Sequence, residues 1–169
     1  MFKDPNHNRT DWRLLQNGAV NLFRQAAYLE ESKRELTSLG YETIDLAFSN
    51  LDQFKHDLSI ALKWEEQFGY APWDGNLDAL NDGLRWFSNE GPERVALCIN
   101  RFHGLWRANK RIAHALLDMI ESQSRDALLV GKHLIAMIQT NDANFHPEGL
   151  GGRSAQWNER EWLDAKRGL

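Results

Sequence analysis

Asp74, Asp78 and Asp82 set three carboxylates within the segment Trp73-Asp74-Gly75-Asn76-Leu77-Asp78-Ala79-Leu80-Asn81-Asp82-Gly83-Leu84. Residues four apart stack on one face of a helix, so Asp78 and Asp82 share a face, and Asp74 lies just before its start. Like charges at that spacing cost an isolated helix a few tenths of a kcal/mol. A cationic partner is the simplest compensation. Arginine suits it best, because its planar fork grips a carboxylate through two hydrogen bonds. Aspartate suits the acidic side, since a short side chain loses less rotamer freedom on binding than glutamate does. The same three acids could instead ligate a divalent cation or serve as an acid/base pair.

Neither enzymatic chemistry finds support elsewhere in the chain. The six histidines (His7, His56, His103, His114, His133, His146) are scattered without ligand spacing, and His114 and His133 read as ordinary surface or satisfied residues. Cys98 lies in the middle of Val95-Ala96-Leu97-Cys98-Ile99, an awkward place for a nucleophile. Gly149-Leu150-Gly151-Gly152 follows no strand-to-helix turn and does not read as a phosphate loop. Arg101, Arg107, Lys110 and Arg111 cluster near Phe102 and Trp106, a mixture that can bind single strands, yet the acidity of the whole chain favours a solvated rim around buried aromatics. The expectation is a binding protein, not an enzyme, with no cofactor and no metal.

Charge distribution says more than its total. Between Glu65 and Glu93 seven acids face the single base Arg85, a net −6 that leaves +2 for the rest of a chain with formal charge −4. An acidic pole on a near-neutral body steers a basic partner towards it, although a solvated helix face carries the same residues. The 169 residues suffice for one domain with a substantial core, and 42% hydrophobic with 26% charged residues are ordinary globular values. The Met-Phe-Lys-Asp-Pro-Asn-His start has no apolar stretch of a secretory signal, and no run approaches a membrane span. With one cysteine, which reads as a small buried hydrophobe, the expectation is a cytoplasmic protein.

The elements that must position the acids follow from periodicity. Gln16-Asn17-Gly18, between apolar stretches of Trp12 to Phe23, predicts a hairpin. A helix from about Ala27 to Leu39 ends at Gly40, and alternation from Tyr41 to Phe48 puts Ile44, Leu46 and Phe48 on one strand face. A helix from Leu51 to Trp64 has Asn50 as cap, Gln53 placed for a capping box, and Phe54, Leu58, Ala61 and Leu62 as its buried stripe. Asn76 caps the acidic helix, whose Leu77, Leu80, Leu84 and Phe87 face a core. Arg94 to Asn100 and Leu134 to Ile138 are apolar on both faces, as central parallel strands are. Between them a long helix from about Asn109 to Val130 ends at Gly131. Thr140 to Gln156 reads as loop, and a last helix from Glu159 to Lys166 has Asn158 as cap, Glu161 at the capping-box position and Gly168 after it. Strands alternating with helices predict an α/β domain with a small parallel sheet covered by helices, its core at about 41–140 between an N-terminal extension (1–40) and a C-terminal one (141–169).

The loop and helix around Asn76-Leu77-Asp78-Ala79-Leu80-Asn81-Asp82-Gly83-Leu84 resemble the signature of the barstar family, small intracellular inhibitors of barnase-type ribonucleases. The order of elements over 41–140 is similar too. The flanks, Asp11-Trp12-Arg13-Leu14-Leu15-Gln16-Asn17-Gly18-Ala19-Val20 and Trp157-Asn158 with Glu161-Trp162-Leu163-Asp164, resemble a longer bacterial subgroup. The resemblance implies a stoichiometric, immunity-type inhibitor of a basic ribonuclease or nuclease toxin. Carboxylates on its acidic helix would occupy the subsites that such a cleft, lined with Arg, Lys and His, keeps for phosphodiester. It implies that Asp78 and Asp82 point into the nuclease, Asp82 with the greater effect, flanked by Asn81 and Arg85. Trp73 stands at the family's loop aromatic and Asn76 at its loop asparagine. Trp73 and Tyr70 are either interface anchors or packing under the loop. Asn81 replaces a contacting tryptophan and Gly83 a cysteine, while Asp126 aligns with one contacting acid of the long helix and Val130 stands at the other. An interaction module that keeps this fold and binds some other basic protein is the alternative.

Overall fold

The computed structural model describes residues 8–169. A helix stands where the sequence suggested the first arm of a hairpin. Thr10–Leu15 forms α1, Val20–Phe23 forms strand β1, and Ala26–Ser38 forms α2. The predicted hairpin over Trp12 to Phe23 is therefore absent. Asn17-Gly18 does not turn one strand back on another. Gly18 has φ +130° and lies against the Glu121 carboxylate, so close that a Cβ would sit 2.8 Å from Oε1. The same carboxylate accepts the Ala19 and Val20 amides at 2.9 and 3.2 Å. Leu14 of α1 is buried with Leu29 and Leu36 of α2 against the sheet, and that burial outweighs the local turn preference.

Glu42–Ala47 is β2, Arg94–Asn100 is β3, His133–Gln139 is β4 and Gln156–Trp157 is β5. All pair in parallel in the order β2-β3-β4-β1-β5. The N-terminal segment thus enters the middle of the sheet, with Val20 beside Ala136 and Leu22 beside Trp157. The expected α/β class holds, with five parallel strands rather than three plus a hairpin. On one face α2 covers Phe23, Ala96, Cys98, Ile135 and Met137. On the other the remaining helices cover Leu22, Leu97, Ile99, Leu134 and Ile138. Cys98 is fully buried, which pushes its thiol up to about 12. Among the described residues no helix is long and apolar enough to cross a membrane.

Leu51–Ala61 is α3, and its Asn50 cap accepts the Gln53 amide at 2.9 Å. Gln53 does not close the capping box; its amide donates to Asp57 Oδ1 at 2.8 Å, one turn on. The helix does not run to Trp64. Lys63 takes left-handed φ 52°, and α4 restarts at Trp64–Phe68, which buries Trp64 completely. Leu77–Leu84 is α5 and Trp86–Asn89 is α6. Phe102–Ala108, read from the sequence only as the approach to the long helix, is a separate helix α7 ahead of α8 at Lys110–Leu129. The expected helix from Glu159 to Lys166 is confined to a 3₁₀ turn, Asp164–Arg167. Glu161 leaves the helical path because its fully buried carboxylate accepts the Arg24 and Gln25 amides at the start of α2, at 2.8 and 3.0 Å.

A second buried carboxylate ties α1 to the sheet. Asp11 receives Arg9 Nη2 at 2.7 Å and the Tyr41 hydroxyl at 3.1 Å. The only phenolic proton goes to Asp11, so His133 Nδ1, 3.0 Å from the Tyr41 oxygen, carries the proton shared there. Burial pushes the Asp11 carboxyl up, but Arg9 and the Tyr41 hydroxyl pull it further down, below its ordinary 3.8. Burial, with Arg94 and Arg9, holds His133 below its usual 6.5 against the opposing pull of Asp11. Both groups bind protons less readily folded than unfolded, so their stabilisation is complete above about pH 6.5 and falls with pH. The loss starts as the unfolded histidine titrates and resumes near pH 4 with Asp11. Thermal melts from pH 8 to 3 should fall in those two windows. His133→Gln should shrink the upper one by its own share, leaving that of His103, whose imidazole is also held below 6.5.

Candidate functional site

Leu80 and Leu84 anchor α5 with Phe87, all three buried. Burial of each contributes about 1.5–3 kcal/mol. That stripe fixes which side of the helix faces out. Asp78 and Asp82 are both exposed on it, as Asp74 is in the preceding loop. Asn76 caps the helix as expected, its Oδ1 accepting the Asp78 and Ala79 amides at 2.9 and 3.1 Å. The Asp74 carboxylate accepts the Asn76 amide at 2.9 Å, and its carbonyl accepts Lys55 Nζ at 3.3 Å. The loop is held by these side-chain-to-backbone bonds within the chain.

Self-neutralisation of the acids is slight. Asp82 meets Arg85 at 3.5 Å, with both side chains more than half exposed, a pair worth roughly 0–1 kcal/mol. Among the described residues Asp74 and Asp78 meet no cation within ion-pair distance. Arg85 caps the end of α5, its amide bonded to the Asp82 and Gly83 carbonyls. Asp126 is exposed on α8, one turn beyond Gln123, which donates to Asn81 Oδ1 at 3.2 Å. That bond lays α8 alongside α5, and Asp126 follows Gln123 by three residues on the same helix.

Two sequence expectations change. Trp73 is buried to 1%, so it touches no partner; its amide donates to Ser59 Oγ at 2.8 Å and its indole N–H to the Asn76 carbonyl at 2.7 Å. It is the packing alternative that the structure selects, with Trp73 acting as the prop that fixes the cap. Asn81 is half-buried in the α5–α8 seam with its oxygen committed to Gln123 rather than offered outward. Tyr70 remains 44% exposed, edge-on to Trp64. Lys55 and Gln123 escaped the sequence reading, because each reaches this region from another helix and no spacing along the chain links them to it.

Gly83 explains why the helix tolerates no larger residue at that position. A Cβ there would lie 2.5 Å from Trp64 Cζ3, inside a fully buried ring. Gly83→Ala should therefore destabilise the protein by about 1–3 kcal/mol, the usual cost of overpacking, despite alanine's better helix propensity. Urea denaturation measures it; an unchanged or raised midpoint would contradict the packing described.

Among the described residues no group of three His, Cys, Asp or Glu is placed to hold a metal ion. Comparison of the chain with models of protein families, with curated proteins and with solved structures returns no match.

Proposed function

We propose that this chain is a barstar-type inhibitor, which docks α5 into the cationic active-site cleft of a ribonuclease or nuclease-like toxin. The reading is supported above all by Asp78 and Asp82, two exposed carboxylates one turn apart on a helix that is capped, buried behind and almost unpaired. A carboxylate on such a rigid support can take the place of a phosphate between arginines without offering a bond to cleave. Asp74, in the loop before α5, and Asp126, on α8, are further exposed carboxylates that the same partner would meet in this reading. No cofactor enters this action, and neither nucleic acid nor a membrane meets this face.

The test is capture of partners from native cytosol on immobilised wild type and on an Asp78→Asn/Asp82→Asn variant in parallel. A basic protein retained only by the wild type, whose ribonuclease activity in the eluate is suppressed until the complex is dissociated, supports inhibition. A partner retained equally by both baits would refute the assignment to this face. A specifically retained basic protein with no nuclease activity would establish the alternative, a module of the same architecture binding a different class of partner.

A further inference from the structure

The strongest charge concentration of the opposite sign lies where β3 and β4 end. Arg101 follows β3 directly, Arg107 lies in the last turn of α7, and Lys110 and Arg111 open α8. Residues 101–111 hold these four cations and no acid. All four are exposed, and among the described residues none has a carboxylate within ion-pair distance. The nearest acids along the adjoining loop are engaged elsewhere: Asp142 Oδ1 accepts the Asn144 amide at 2.9 Å, and Glu148 lies 3.7 Å from His146.

Arg101 is held in a costly conformation. Its φ of 56° is left-handed, one of only two such non-glycine residues among those described, and its amide is bonded to Gln139 Oε1 at 2.8 Å. That backbone places Arg101 at the carboxyl end of a central parallel strand, the region where open α/β sheets receive ligands. His103 beside it bonds the Asn141 amide at 3.2 Å, closing β3 to the loop after β4. Burial and then the Arg107 and Arg101 cations hold its imidazole below the usual 6.5, so it stays neutral while the surrounding field is positive. Lys110 Nζ lies 5.4 Å from the centre of the half-buried Trp106 ring, which packs edge-on to Phe145. Guanidinium forks matched to phosphate, close to an aromatic ring from which a lysine can be displaced, form the combination that follows a single nucleic-acid strand.

We propose that this corner between α7 and α8 is a second binding surface, for single-stranded RNA, in which Arg101, Arg107, Lys110 and Arg111 hold consecutive phosphates and a base stacks on Trp106 in place of Lys110. The surface is separate from the acidic face, and its assignment does not rest on the inhibitor reading.

Fluorescence anisotropy of a labelled 12-nucleotide oligouridylate, titrated with the full chain, tests it. Four phosphate contacts on a single strand give a slope of log K against log salt of roughly −3, so affinity should fall about 50-fold between 50 and 200 mM salt. The variant Arg101→Gly/Arg107→Gln/Lys110→Gln/Arg111→Gln keeps the left-handed position unstrained and should lose at least 10-fold in affinity and most of the salt slope. Tryptophan fluorescence offers a second readout: stacking on Trp106 should quench the wild type, and Trp106→Leu should lose that part of the quench among the seven tryptophans. No anisotropy change at 50 mM salt, or equal binding by a variant whose thermal transition matches the wild type, overturns the proposal. Displacement of the RNA by polyglutamate of equal charge at equal concentration overturns it too, since the surface would then read charge and not nucleic acid.

Discussion

If α5 docks into a cationic cleft as proposed, replacing Asp78 and Asp82 together by alanine should abolish that binding while leaving the fold intact. Truncating one member of a desolvated charge pair costs about 2–5 kcal/mol, a range that already includes the barnase–barstar pair, so each substitution should raise Kd by more than tenfold and the double variant by at least two decades. Asp82→Ala should cost more than Asp78→Ala, because it also releases Arg85, at 3.5 Å from Asp82, as an unscreened cation facing a cationic cleft. Stability should hardly change. Both side chains are exposed, the cap is supplied by Asn76, and removing two like charges one turn apart relieves a few tenths of a kcal/mol. Titration calorimetry against the captured partner and a thermal melt of the free chain measure the two halves. Undiminished affinity in the double variant would remove α5 from the interface. Glu90, further along the same pole, should alter mainly the association rate, and that effect should fade as salt shortens the screening length towards 10 Å at 0.1 M.

Glu161→Ala should produce the largest loss of stability of any single substitution in the C-terminal segment, about 3–5 kcal/mol. The carboxylate is fully buried and receives the Arg24 and Gln25 amides and the Asn158 side-chain amide, the last at 2.7 Å. The Arg24 and Gln25 amides are only part-buried, and Asn158 keeps the Leu22 carbonyl as a second acceptor. Most of the cost therefore comes from the void and the lost charge-assisted bonds, each bond worth about 1.5–3 kcal/mol. A negative group at the start of α2 also favours the helix dipole, which the alanine forfeits. Glu161→Gln retains one acceptor oxygen and should fall between wild type and alanine. Urea denaturation followed by circular dichroism gives the numbers; a loss below 1 kcal/mol for the alanine variant would show that water or a neighbour replaces the carboxylate readily.

Legibility in the sequence tracked how local each cause was. Val95 to Ile99 and Leu134 to Ile138 are apolar at every position, and α8 repeats its apolar stripe over five turns, so strands and helix declare themselves without their neighbours. The acidic face was legible for the same reason, because its cap, its stripe and its carboxylates belong to one short segment. What failed depended on contacts across the chain. β1 has four residues and β5 two, too few to show a period, and both exist only by pairing with each other and with β4. The break at Lys63 has no proline or glycine to announce it; it follows from the need to bury Trp64 over Gly83. Trp73 looked as much like an anchor as a prop, since burial of an indole is decided by the residues that surround it, here Ser59 and the Asn76 carbonyl.

The place of β1 in the sheet carries a consequence for biosynthesis. Val20 finds its partner only at Ala136, more than a hundred residues later, and β5 then closes over its other edge. At ribosomal speeds of 5–20 residues per second, the earliest strand emerges on the order of ten seconds before anything exists to receive it. Its apolar Leu22 and Phe23 wait meanwhile in the open, and an exposed strand of that kind invites intermolecular pairing. The sheet must therefore grow from β2, β3 and β4 outwards, with β1 docking on β4 and β5 sealing it afterwards.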